Sequence, residues 1–283
     1  MGEEALSQLA QRGPRALYFT GRNKKRADEV IAHVHASAPS VNVHFVEADF
    51  NALDSVNNAA KKLAASIEKD EKRLDGLLCN AGIMAIDPSL SEDGFEKQFA
   101  VNHLAHALLI DRLLPLLQST SGARIVALTS VGMNLALPGG VRYHNITTKQ
   151  DDRFFGFGAR WIAYGQSKLA NLLYVRALAK RYPSILCVAV HPGVIMTGLV
   201  TGMGMMLSLF VWLTTIGQRL SVHDGAKNPL WALTAPSTEK EGPRNAGYYL
   251  PLGIPGVENA NTKDEAAPDA LWDFTQDVIA KYQ

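Results

Sequence analysis

At 283 residues, 47% hydrophobic and only 19% charged, the chain is long and apolar enough for one large globular domain or two small ones, and is not a disordered segment. Lys plus Arg, 28, nearly balances Asp plus Glu, 27, so no global field steers it to nucleic acid. The opening MGEEALSQLAQRG lacks the basic-then-apolar layout of a secretory signal. Cys79 and Cys187 sit in apolar runs like small buried hydrophobes of a reducing compartment, so a cytoplasmic protein without a disulfide is expected.

In chain order, an amphipathic start (4–11) precedes the apolar strand RALYFTGRN. A helix over 24–36 leads to the strand VNVHFVEADF, and a helix over 52–69 to the short run LDGLLCNAG. A long helix over 95–117 is followed by the strand ARIVALTS and a polar insert over 139–160. A helix from about Trp161 through YGQSKLANLLYVRALAKRY and the strand SILCVAVHPG come next. Near-continuous apolar strands alternating with helices predict an α/β fold, a parallel sheet with helices on both faces, in one domain over 1–283. Ligands of such sheets lie at the carboxyl ends of the strands. Here those ends carry Gly21-Arg22-Asn23, Asp49, Asn80-Ala81-Gly82, Thr129-Ser130 and His191-Pro192-Gly193. Residues 194–216 are free of charge, but their strongly apolar core, Met205 to Leu213, is too short to cross a bilayer. A lid at about 194–220 over an apolar substrate is expected in preference to a membrane contact.

Tyr164-Gly-Gln-Ser-Lys168 is the sharpest chemical feature. Residues four apart share a helix face, and a neighbouring ammonium stabilises phenolate and lowers a tyrosine pKa. The pair is therefore expected to act as a general acid/base on a hydroxyl or carbonyl oxygen. No metal-ligand spacing, G-x-S-x-G elbow or Walker loop is present.

Taken together in order, Asp49-Phe50, Cys79-Asn80-Ala81-Gly82, DGFEKQFAVNHLAHALL, RIVALTS, YGQSKLANLLY, HPGVIMT and the late GYYLPLG resemble the short-chain dehydrogenase/reductase superfamily along nearly the whole chain. The similarity is greatest to the branch of retinol-dehydrogenase-like and secondary-metabolism reductases. The resemblance implies a Rossmann-type fold, NADP as cofactor, a hydrophobic small-molecule substrate and a tetrad of Asn102, Ser130, Tyr164 and Lys168. It implies that Tyr164 exchanges the proton, Ser130 holds the substrate oxygen, Lys168 tunes Tyr164 and holds the nicotinamide ribose, and Asn102 keeps a relay water. Asp49 would meet the adenine, Asn80 and Gly82 the adenosine side, Ile195 and Thr197 the nicotinamide end, and Arg22 the ribose 2′-phosphate. A homo-oligomer is compatible with the resemblance, since family members often pair through helices. Each residue also has a plainer reading. Arg22 fits a solvated helix start, Asp49 and Thr197 fit caps, Asn80 and Gly82 fit turn formers, and Asn102 fits a partner for a kinked helix's backbone.

The chain departs from the family at its start. Members open with a strand and a Thr-Gly-x-x-x-Gly-x-Gly loop that cradles the pyrophosphate, whereas Met1-Gly2-Glu3-Glu4 aligns with the end of that motif. The expected sheet therefore lacks its first family strand. Four explanations stay open: a mis-set start, a sheet closed differently with weak cofactor binding, a redox-neutral enzyme that uses Tyr164 alone, or a catalytically dead scaffold.

Overall fold

The computed structural model describes residues 1–150, 157–195 and 219–282. Helix α1 (Gly2–Ala10) leads to strand β1 (Ala16–Gly21), helix α2 (Lys24–Ser37), strand β2 (Asn42–Glu47), helix α3 (Leu53–Asp70) and strand β3 (Gly76–Cys79). Polar side chains set the starts of these helices. Asn23 accepts from the Arg26 amide at the head of α2, and Asp93, from a distant loop, accepts from the Leu53 amide at the head of α3.

A short helix α4 (Lys97–Phe99) passes through a π turn (Ala100–Leu104) into α5 (Ala105–Ser119). Its N-cap is Glu96, buried, whose carboxylate takes both the Gln98 and Phe99 amides. Strand β4 (Arg124–Leu128), helix α6 (Phe157–Arg181) and strand β5 (Leu186–Val190) follow. The sequence places the start of α6 near Trp161. It begins earlier because Ala159 packs into the interior and Gln98 donates to the Arg160 carbonyl, which holds the extra turn in place.

Pairs β6 (Val194–Ile195) and β7 (Arg219–Leu220), then β8 (Tyr248–Leu250) and β9 (Ile254–Pro255), complete the strands. A helix Val222–Thr234 lies between β7 and β8, and a helix Ala267–Ile279 comes late in the chain.

The described strands are largely parallel and fall into three ladders, the smallest being β6 with β7. β1 pairs with β2, while β3, β4, β5, β8 and β9 form a separate run in that order, with β9 alone antiparallel to its neighbour. Among the described residues no ladder joins β1 to β3. This agrees with the sequence-based expectation of a sheet lacking its first family strand.

Strand alternation sends Ile125, Ala127, Cys187 and Ala189 to one face and Val126, Leu128, Val188 and Val190 to the other. The first face belongs to the main core, formed with α3, α5 and α6 and reaching Tyr18 and Val46 of the outlying ladder. On the second face the core is divided. Leu17, Phe19 and Val43 pack with α1 and α2, whereas β4 and β5 pack with Trp231 and Leu233 of helix Val222–Thr234.

Both cysteines are buried and free, and burial pushes each thiol up to about 12. No helix among the described residues is long and apolar enough to cross a membrane. Thr197 and all but the two ends of the 194–220 segment lie outside the described residues.

Candidate active site

The carboxyl ends of β3, β4 and β5 converge on the first half of α6. Tyr164 and Lys168 lie on that helix, both buried, with the ammonium 6.0 Å from the centre of the phenol ring. Thr129, at the end of β4, donates through Oγ1 to the Lys168 carbonyl at 2.7 Å and so ties the helix to the strand. Ser130 follows. Its hydroxyl accepts from the Gly132 amide at 3.0 Å, and a Cβ on Gly132 would meet both this oxygen and the Tyr164 ring. Gly165, the second residue of the motif, has a structural reason. A Cβ there would fall 2.7 Å from both the Ala136 nitrogen and the Gly132 oxygen, so only glycine lets α6 rest on the backbone that carries Ser130.

Asn102 sits fully buried in the π turn, which the Ala105 amide closes on the Ala100 carbonyl. Such a bulge turns a side chain out of the ordinary helical row. Its amide nitrogen donates to the Ile83 carbonyl and to Ser167 Oγ, both at 2.9 Å, and its oxygen accepts from the Ile83 amide at 2.7 Å. Ser167 in turn donates to the Tyr164 carbonyl at 2.7 Å. The plainer reading, in which Asn102 satisfies its own helix, is thus replaced by a bridge between the Asn80–Gly82 turn and the motif helix. Sequence reasoning missed Ser167, and it named Thr129 only as part of a strand end and not as the tie between β4 and α6. Their signal is adjacency, one beside Lys168 and the other beside Ser130.

One expectation is corrected. Burial pushes the Tyr164 phenol up to about 12, only partly offset by the Ser130 hydroxyl, and Lys168 does not lower it. The cause is geometric. The ammonium donates to the Leu128 carbonyl at 3.1 Å rather than to the phenol, and burial brings Lys168 itself down to about 8. His106 and His191 are each held down to about 4, by burial first and by the Lys168 charge in addition, so they stay neutral around it.

The remaining candidates divide by ladder. Gly82 stands beside Lys168: a Cβ on it would fall 2.9 Å from Asn102 Oδ1 and 3.5 Å from Lys168 Nζ, while the Asn80 amide lies against Gly2, where an added Cβ would fall 2.7 Å from its Nδ2. Ile195 is buried on β6. Asp49 accepts from the Asn51 amide at 2.9 Å and shapes its own turn; it does not cap the following helix, whose Leu53 amide goes to Asp93. Arg22 is exposed just beyond β1, and among the described residues it has no ion pair, whereas Lys24 pairs with Asp28 and Arg26 with Glu3 and Glu29.

A nicotinamide cofactor is therefore matched unevenly. The bare backbone at Gly82, beside a buried ammonium, suits the close approach of a ribose, and exposed Arg22 suits an anionic far end. No glycine-rich phosphate loop occurs in the sequence.

A family model described as short chain dehydrogenase matches residues 1–148. The short-chain dehydrogenase/reductase drtF of Aspergillus calidoustus is 33% identical over 298 aligned residues, covering 99% of this chain and 90% of its own length. Mouse retinol dehydrogenase 12 is 33% identical over 281 residues, covering 99% of this chain and 83% of that protein. Among solved structures, a short-chain dehydrogenase from Sphingobium yanoikuyae in complex with NADPH superposes with a TM-score of 0.63 at 20% identity, covering 99% of this chain and 91% of the other.

Proposed function

The chain belongs to the short-chain dehydrogenase/reductase family and is an oxidoreductase enzyme, and from that premise we propose that it interconverts a hydroxyl and a carbonyl on a hydrophobic small molecule with NADP(H). The observation that carries this reading is the convergence of Ser130, Tyr164, Lys168 and Asn102 from β4, α6 and the π turn around one strand end, joined through Ser167 and Gly82.

NADPH when bound supplies the hydride. The chain's own residues handle the oxygen and its proton. Ser130 hydrogen-bonds the substrate oxygen. Tyr164, protonated at neutral pH, is poised to donate a proton to an oxygen that is gaining charge. Lys168, still cationic at neutral pH, holds the ribose. Asn102 keeps the Gly82 turn and the motif helix in fixed relation. Arg22 pairs with the 2′-phosphate, an anion that suits a guanidinium.

An apolar substrate is supported by Val131 and Leu135, 43% and 47% exposed immediately after Ser130, and by the neighbouring loop, which Asn259 ties to Asn134 and in which Val257 is 78% exposed.

One observation favours a second reading. A buried phenol beside a serine serves redox-neutral isomerisation or dehydration equally well. NADPH fluorescence titration separates the two. Saturable enhancement is expected, and its absence at millimolar protein and cofactor would remove the hydride reading.

A further inference from the structure

The turn that leaves β3 is gripped at two points by one helical segment. Asn102 holds the Ile83 amide and carbonyl. Four residues further along, and therefore on the same helix face, His106 brings Nε2 to 2.8 Å from the Ala81 carbonyl. Gly82 lies between the two grips. A carbonyl only accepts, so Nε2 must carry the proton and Nδ1 must be bare. Nδ1 has no protein partner among the described residues. The ring is 6% exposed and stands edge-on to Phe50, 4.9 Å between centroids at 73°. Phe50 directly follows Asp49, so this one imidazole touches the segments that leave β2 and β3. The neutral state is secured by burial.

Simple space filling is the competing account. A leucine or phenylalanine would occupy much the same volume, yet would leave the Ala81 carbonyl unpaired where little water reaches it. Two hydrogen-bonding grips one helical turn apart, straddling a glycine that tolerates no side chain, are more than filling requires.

We propose that His106 is a positioning residue: through its neutral Nε2–H it clamps the Ala81 carbonyl, fixes the orientation of the Asn80–Gly82 turn, and thereby sets affinity for NADP(H) without taking part in the chemical step. The affinity half of this assignment rests on the cofactor reading above; the clamp itself does not.

The test compares His106→Leu, His106→Phe and His106→Gln in the full chain. Without cofactor, hydrogen exchange in peptides spanning 78–84 is expected to quicken about tenfold in the Leu and Phe variants, as loss of one hydrogen bond allows. The Gln variant, whose amide retains a donor at the position of Nε2, is expected to keep most of the protection. With NADPH, the Leu variant is expected to show a KM about tenfold higher and a kcat within about twofold, with Gln restoring most of the difference. Unchanged exchange in both apolar variants would overturn the clamp, whatever the cofactor result. Faster exchange with an unchanged KM, or a loss confined to kcat, would overturn the positioning role. If the unaltered protein shows no NADPH binding, the oxidoreductase reading and the affinity half fall together, and the exchange comparison still decides the clamp.

Discussion

The two larger ladders are built from similar apolar strands and are buried very differently. In β4 and β5 every residue after the first is buried, on both faces, by α5 and α6 on one side and helix Val222–Thr234 on the other. In β1 no residue is fully buried, and β2 is half-buried or exposed throughout. On one face the two ladders share a core. On the other, the smaller ladder has only a six-residue cluster with α1 and α2. A strand is buried by what lies beside it as well as above and below it, and β1 and β3 each lack a neighbour on the side where they would meet. The division also separates tasks. The dense ladder positions Ser130, Tyr164 and Lys168, where chemistry needs fixed geometry. The open one carries Arg22 and Asp49, assigned to recognition of the cofactor's far end.

The largest effect is expected in the dense half. Tyr164→Phe should lower kcat for NADPH-dependent reduction of an apolar ketone about a thousandfold while circular dichroism stays unchanged; a surviving rate would end the acid/base assignment. Ile125→Ala, at a fully buried site in β4, should cost about 2–5 kcal/mol in urea unfolding. Arg22→Ala, by contrast, should weaken NADPH about tenfold and leave NADH and the melting temperature alone. Isothermal titration with both cofactors checks this, and equal losses for the two would detach Arg22 from the 2′-phosphate. Leu17→Ala in β1 should cost only about 1 kcal/mol, because much of that side chain is already wet; a cost matching that of Ile125→Ala would erase the contrast between the ladders.

The smallest effect is in pH dependence. Folded Lys168 releases its proton near 8, against an ordinary 10.5. The unfolded chain therefore binds more protons across that interval, and this group makes stability rise with pH there. For Tyr164 the folded value, about 12, lies above the ordinary 10.0, so its contribution is complete below pH 10 and is lost as pH climbs toward 12. Lys168→Met should flatten the rise between pH 8 and 10 in urea titrations, and an unaltered slope would show that the lysine is hydrated.

Much of the architecture was legible in the residues because alternation and periodicity report local burial directly. The order of strands and helices, the strand-end turns and the Tyr164–Lys168 pair all follow from patterns spanning a few residues. What escaped was long-range. Asn102 stands out only through the family resemblance, and nothing in its own neighbourhood of the sequence shows that the π turn aims it at Ile83 and Ser167. His106 reads as one more residue of an apolar helix until Ala81 is placed against it. The direction of the Lys168 ammonium was likewise hidden. Sequence puts it on the same helix face as the phenol, but the Leu128 carbonyl, brought in by a strand forty residues earlier in the chain, takes its hydrogen bond.

By itself, then, the amino-acid order determined the family, the run of secondary elements and the placing of Tyr164 and Lys168 four residues apart on one helix, because each is written in patterns among near neighbours. Only the tertiary structure decided that the strands divide into separate ladders, which hydrogen bonds join the Gly82 turn to α6, and that the buried phenol is protonated at rest. Those depend on groups far apart in the chain meeting where water is excluded, and there burial and one competing carbonyl outweigh the proximity of the ammonium.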